Sequence, residues 1–206
     1  MADYSLITKH KLLHMMKKMS RNSDSYVKRP GKDFSRSRKI SFFDTLRFLL
    51  SLGAKSLDKE LLDFFSYRPD LPTSSAMLQQ RGKLKPNTMK VLFSVFTASL
   101  PKHSNFHGYH LLAADGSELS FPENKKEPLC HRKIPNAQKG KNAIHLNALY
   151  HLNSGIFDQV LFQPVHEKDE HSALITMLAQ TEISGKVILT ADRGYESYNT
   201  FAHILE

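Results

Sequence analysis

One stretch, Lys186 to Ser197 (KVILTADRGYES), limits what this chain can fold into more than any other. Val187, Ile188, Leu189, Thr190 and Ala191 form an unbroken apolar, β-rich run, the pattern of a strand buried on both faces. The run ends on a carboxylate, Asp192, and a turn follows at Gly194. Tyr198, Phe201, Ala202 and Leu205 then recur at helical spacing and predict a helix with one apolar side. In open α/β sheets, ligands gather where strands reach their carboxyl edge. Asp192 is therefore a candidate for chemistry, and its neighbours decide which.

The segments before it predict a sheet. His110 to Ala114 reads as a short apolar strand ending on Asp115-Gly116-Ser117. Residues 116–142 read as a long loop rich in Lys125, Lys126, Arg132, Lys133, Lys139 and Lys141. From Ala143 to Leu152 the pattern alternates, with His145, Asn147, Leu149 and His151 on one face. Asn153-Ser154-Gly155 is a hairpin turn into a strand from Ile156 to Phe162. Asp169 is placed to cap a helix reaching about Gln180, with Ala173, Leu174, Met177 and Leu178 inward. His103, His107 and His110 read as loop histidines, and His145 and His151 as surface or packing residues, not as a metal site.

The first half reads differently. Residues 9–39 hold eleven Lys/Arg against Asp24 and Asp33, so nearly all of the net charge of +9 sits there. A basic helix around Leu6 to Met19 leads into residues 20–39, which read as a linker or arm broken at Pro30-Gly31. An arm of this charge suits a polyanion, most naturally nucleic acid. Residues 40–100 predict four helices, the second capped by Ser56 and the fourth opening on Pro86. The third and fourth, joined at Gly82-Lys83-Leu84-Lys85, suggest a helix-turn-helix with Arg81, Lys83 and Lys85 facing DNA. A single cysteine, Cys130, excludes an internal disulfide, and no run nears the ~20 apolar residues of a membrane span.

From residue 110 onward the order is strand, strand, strand, helix, strand, helix, with carboxylates ending the first and fourth strands. That is the arrangement of the RNase H-like fold. The expected class is α/β: an N-terminal all-helical domain, then a partial RNase H-like mixed sheet with flanking helices. In such a sheet the first and fourth strands are parallel neighbours ~4.8 Å apart, so Asp115 and Asp192 would stand side by side. Two carboxylates that close repel unless a proton or a cation lies between them. Oxygen-only ligation favours Mg²⁺ or Mn²⁺, and a pair of such ions suits phosphoryl transfer at a phosphodiester.

The stretches LLAADGSEL (111–119) and ILTADRGYESYNTFAHILE (188–206) resemble the two aspartate motifs of DDE transposases of the insertion-sequence-four family. The resemblance implies that residues 109–206 are the N-terminal part of an RNase H-like DDE catalytic domain. It makes residues 40–100, with ELLDFF and MLQQRGKLKPNTM, a helical DNA-binding domain, and residues 1–39 a basic arm or linker. Asp115 and Asp192 would be catalytic and the first two ligands of Mg²⁺ or Mn²⁺. Arg193 would meet phosphate and Tyr195 a sugar or base edge, while Arg132, Lys139 and Lys141 would track DNA. The implied activity is strand cleavage at insertion-sequence ends and transfer into target DNA. The implied setting is a homodimer on double-stranded DNA, cytoplasmic and nucleoid-associated, with no membrane. The family's third acid lies in a later Tyr-Arg-Glu-Lys signature, beyond Glu206. The expectation is therefore a truncated transposase, inactive alone, in which Glu118, Glu196 and Glu206 do not replace the absent ligand. The alternatives are a non-catalytic DNA-binding or repressor protein derived from a transposase, and an RNase H-like nuclease of another kind.

Overall fold

The structure is a computed structural model that describes residues 2–103, 106–135 and 139–205. The chain divides into two compact units, Met1–Leu100 and Pro101–Glu206. Among the described residues no helix is long and apolar enough to cross a membrane.

The first unit is helical: α1 (Ala2–Arg21), α2 (Phe42–Ser51), α3 (Leu57–Phe64), α4 (Ser74–Lys83) and α5 (Thr88–Ala98). Local chemistry sets most starts. The Ser41 hydroxyl accepts from the Asp44 amide at 3.0 Å while Asp44 accepts from the Ser41 amide, a reciprocal cap on α2. Thr73 caps α4 by accepting from the Ala76 amide at 3.2 Å. Pro86 does not open α5 as expected. The chain there is tied to a distant segment, with the Lys85 amide and the Thr88 hydroxyl both donating to the Tyr26 carbonyl, and the helix starts at Thr88.

Two apolar clusters hold this unit. One joins Met16, Met19, Val27, Phe42, Leu46, Leu84 and Leu92; the other joins Ile40, Phe48, Leu61, Phe65 and Met77. Helix α5 contributes to the first and α4 to the second, so the helix-turn-helix pairing expected of them is not how they pack. Leu84, between them, is buried and bridged to Val27 rather than turned to solvent.

Residues 20–39 are likewise not an unpacked arm. Val27 is fully buried, and the Phe34 ring meets the Phe42 ring edge-on at 5.5 Å. Asp33, 2% exposed, accepts from the Arg29 amide at 3.1 Å and from the Arg29 guanidinium at 2.8 Å. Tyr26, Val27 and Phe34 are too sparse among serines and arginines to give a periodic signal, so only packing exposes their role.

The Arg29 hydrogen bond is the main reason the Asp33 carboxyl sits below the usual carboxylate range. A depressed folded-state pKa means a contribution complete above the unfolded value and lost as pH falls through the folded one. Asp33→Ala is thus expected to cost about 2 kcal/mol at neutral pH and progressively less in acid. Urea melts at pH 7 and near pH 3 check this; an equal loss at both would refute it.

The second unit is built on a mixed five-stranded sheet: β1 (Tyr109–Phe121), β2 (His131–Arg132), β3 (Lys141–His151), β4 (Ile156–Pro164) and β5 (Lys186–Thr190). Strands β1, β3 and β4 are antiparallel neighbours, β2 adds to the start of β3, and β5 runs parallel to β1. Helices α6 (Glu170–Ala179) and α7 (Tyr198–Leu205) complete an α/β unit with the topology of a partial RNase H-like fold. Asp169 caps α6 by accepting from the Ser172 amide at 3.0 Å. Leu174 and Met177 of α6 then pack on Leu112, Ala114 and Leu149 of the sheet.

Three expectations change here. Strand β1 does not end at Asp115: it runs on to Phe121, paired with β3 through Gly116 to Phe121, so the basic loop begins later. The exposed, polar residues of that extension carry no hydrophobic pattern, so the sequence reads as loop. Strand β5 is not buried on both faces, since Val187 and Ile188 are 40% and 38% exposed and β5 ends the sheet order. On α7 it is Thr200 that is buried, while Tyr198 and Phe201 are exposed; the Leu205 side chain lies outside the described residues. Of the two roles expected for His145 and His151, surface or packing, they take the packing one: His145, Asn147 and His151 are all buried. Burial is only partly compensated: Asn147 donates to Gln163 at 3.0 Å and His151 meets His110 at 2.9 Å, while His145 Nε2, Asn147 Oδ1 and His151 Nδ1 have no hydrogen-bond partner.

Candidate functional site

The parallel pairing of β1 with β5 positions the acids. Its last pair is Ala113 with Thr190, and Asp115 and Asp192 each lie two residues further along. Both acids therefore follow the last parallel pair by the same two residues, at the same end of β1 and β5. Asp115 is still inside β1, opposite Ala148 of β3, whereas Asp192 lies just past the end of β5. Both are exposed. Each carboxylate is steadied by a nearby amide: Asp115 accepts from Gly116 and Asp192 from Gly194, both at 2.8 Å. Asp192 thereby caps a 3-10 turn, Arg193–Tyr195, and that turn folds Tyr195 back into the core. A cavity of about 370 Å³ lies against Asp192, lined also by Leu174, Leu189, Arg193, Glu196 and Thr200.

Tyr195 marks the centre of charge. It is 5% exposed, and its hydroxyl is a buried polar atom with no hydrogen-bond partner. Burial first, then the negative charges of Glu170, Asp115 and Asp192, push its phenol up to about 12. One unpaired phenol therefore sits in the field of three carboxylates.

Glu170 is the member that sequence reasoning did not find. It is the first residue of α6, and its Oε1 lies 2.9 Å from His145 Nε2 and 2.9 Å from Lys168 Nζ. The His145 contact is at ion-pair distance but off the line of a hydrogen bond, so that ring nitrogen is left unsatisfied. Both groups press on Gly116, where a Cβ would fall 2.5 Å from His145 Nε2 and 2.8 Å from Glu170 Oε1. The absent side chain at Gly116 is what lets the first turn of α6 reach β1 beside Asp115. A glutamate after a capping aspartate reads as ordinary first-turn chemistry, so no spacing rule singles it out.

The other predicted residues take varied places. Arg193 is exposed next to Asp192, whereas Tyr195 is a core residue. Arg132 and Lys141 both grip Glu118, at 2.8 and 3.0 Å, and Lys139 is exposed. The Lys141 hydrogen bond is the main cause holding the Glu118 carboxyl below its usual range. Glu118 is thus engaged elsewhere, Glu196 is exposed after the turn, and Glu206 lies outside the described residues. In the helical unit, Arg81 is exposed on the last turn of α4. Lys83 is held by Gln80 at 2.8 Å, and Lys85 donates to the Ser25 carbonyl at 2.9 Å. Among the described residues no three His, Cys, Asp or Glu side chains are gathered closely enough to hold a metal ion as they lie.

Residues 106–206 match the family model described as the transposase DDE domain. This stretch is similar to a transposase DDE domain. The match spans nearly the whole second unit, so the sheet, both aspartates, Glu170 and Tyr195 all lie within the matched stretch. No curated protein and no solved structure matches the chain.

Proposed function

We propose that this chain is a DNA transposase of the insertion-sequence-four family, with Asp115 and Asp192 as the carboxylates that hold Mg²⁺ or Mn²⁺ at its site. The observation that carries the reading is the parallel pairing of β1 with β5, which each acid follows by the same two residues, within a stretch that matches the DDE domain. The donor chemistry fits a hard divalent ion: Asp115 and Asp192 offer exposed carboxylate oxygens, and their negative charge and that of Glu170 bear on the buried Tyr195 phenol. When bound, such ions supply activation of a water or 3′-hydroxyl and charge stabilisation of the leaving oxygen.

The chain's own residues do the rest. Asp115 and Asp192, each braced by a backbone amide, present oxygens in a fixed direction. Arg193, exposed beside Asp192, provides a planar fork for a DNA phosphate. The ligand is double-stranded DNA, the ends of the element and its target, engaged by a homodimer. The Tyr-Arg-Glu-Lys signature that bears the family's third acid does not occur in these 206 residues. Strand transfer by these residues alone is accordingly expected to be weak.

The test is Mn²⁺ binding followed by electron paramagnetic resonance on the whole chain. Asp115→Asn and Asp192→Asn should each weaken binding by at least about tenfold, in line with losses seen when metal sites lose support. Duplex DNA binding should stay intact in both. Unchanged Mn²⁺ affinity in both variants would sink the proposal.

A further inference from the structure

We propose that the segment from Arg29 to Arg38, together with the end of α4, is a cradle for the phosphodiester backbone of duplex DNA. It rests on the transposase reading for the identity of the ligand, and adds the surface that grips it.

The helical unit holds a cavity of about 530 Å³ lined by Arg29, Lys32, Arg36, Arg38 and Lys83, with Asp33 as its acid. That acid is already matched. Asp33 takes the Arg29 guanidinium on one oxygen and the Arg29 amide on the other, and is itself 2% exposed. No ion pair is found for Lys32, Arg36 or Arg38 among the described residues, and all three are exposed. The cavity therefore presents unmatched positive charge on a folded wall, not on a loose tail.

The wall is also pre-shaped. Gly31 and Phe34 both adopt left-handed backbone, at φ +72 and +62, and so bend the segment back on itself. For phenylalanine this conformation is strained, and packing has to hold it. The edge-on contact with Phe42 does so, and the Lys83 ammonium lies 5.2 Å over the Phe34 ring. Lys83 is fixed from its other side by Gln80, a buried residue. Holding cations in place beforehand removes part of the ordering cost of gripping an anion.

Shape selects among anions. Arg38, Ile40 and Gln80 also line a second cavity of about 500 Å³ that runs on past Thr73 and Gln79. Two neighbouring cavities that share Arg38, Ile40 and Gln80 suit an extended polyanion better than a single small ion. The Phe34 ring is already covered by Lys83, which leaves no platform for stacking a base. Guanidinium forks without a base platform grip phosphate and carry no sequence information, which is the positioning half of DNA recognition.

The test uses the whole chain and a fluorescein-labelled mixed-sequence duplex, with anisotropy read across a sodium chloride series. Each phosphate contact contributes about 0.9 to the log–log salt slope. Arg36→Ala with Arg38→Ala should flatten the slope by about 2 and weaken binding at least about tenfold near 0.1 M salt. The thermal midpoint should hold; if it drops, Lys32→Ala, at an exposed position, should still flatten the slope by about 1. An unchanged slope in these variants, with the parent chain binding normally, overturns the cradle and leaves the transposase reading standing. Failure of the parent chain to bind duplex at low salt overturns both. Inorganic phosphate at matched ionic strength should displace duplex no better than chloride; selective displacement would reassign the cradle to free phosphate.

Discussion

Lys102→Met is expected to destabilise the sheet-bearing unit by about 3–5 kcal/mol, the usual cost of stranding one partner of a buried ion pair. Asp158 of β4 has a side chain only 2% exposed, and Lys102, 18% exposed, is its ion-pair partner. The second carboxylate oxygen of Asp158 has no hydrogen-bond partner, so no other group shares the burden. Close by, His110 and His151 meet at 2.9 Å, and His151 titrates below its usual range, chiefly through burial and then through His110. Burial favours the neutral form of His151, so that ring offers Asp158 little compensation. A domain is stable by only about 5–15 kcal/mol, so the loss is large. Removing both charges, as in Lys102→Met with Asp158→Leu, should recover most of it, because the desolvation penalty leaves with the pair. Urea unfolding of the three variants checks the cycle. A double variant as unstable as Lys102→Met would show that the pair is more than its own charges.

Gly116→Ala is expected to cost about 2–3 kcal/mol, although it adds a single methyl. The added Cβ would meet His145 Nε2 at 2.5 Å and Cε1 at 2.9 Å, and Glu170 Oε1 at 2.8 Å. His145 is 4% exposed and packed inside the sheet, so it cannot swing clear. Glu170 is drawn to Lys168 and His145 and would have to give up one of them. The relief therefore falls on α6, whose first turn would lift from β1 next to Asp115. Gly116→Ala combined with His145→Ala should regain more than half of the loss, since the closest obstacle is gone. Thermal melts report the stability. Mn²⁺ binding should weaken in Gly116→Ala and return in the double variant. Full stability in Gly116→Ala would show that the approach of α6 is not limited by this glycine.

Elements with a local cause were legible beforehand. The Asp169 cap, the start of α4 at Thr73-Ser74, the inward stripe of α6 and the hairpin at Asn153-Ser154-Gly155 depend on residues within a few positions of each other, whereas Ser56 holds the N-cap position of α3 without the expected side-chain hydrogen bond and the Ser41 cap was not read. The acids at 115 and 192 were found for the same reason, each attached to a short run that is visible alone. Strand β5 shows the limit: its apolar run announces a strand, but the run does not say that the strand ends the sheet with Val187 and Ile188 uncovered. The polar end of β1 escaped notice because hydrogen bonds to β3, not side-chain pattern, make it a strand.

The chain order alone dictated an α/β sheet with a parallel β1 and β5, and so put Asp115 and Asp192 at the same end of those two strands, because element order and right-handed crossover leave few ways to connect such strands. Packing alone decided the rest. It drew Val27, Asp33 and Phe34 out of an apparent tail into a basic wall, and set Glu170 over Gly116 beside a buried phenol. Those contacts join residues far apart in sequence, and a contact between distant residues leaves no period or cap at either end to be read.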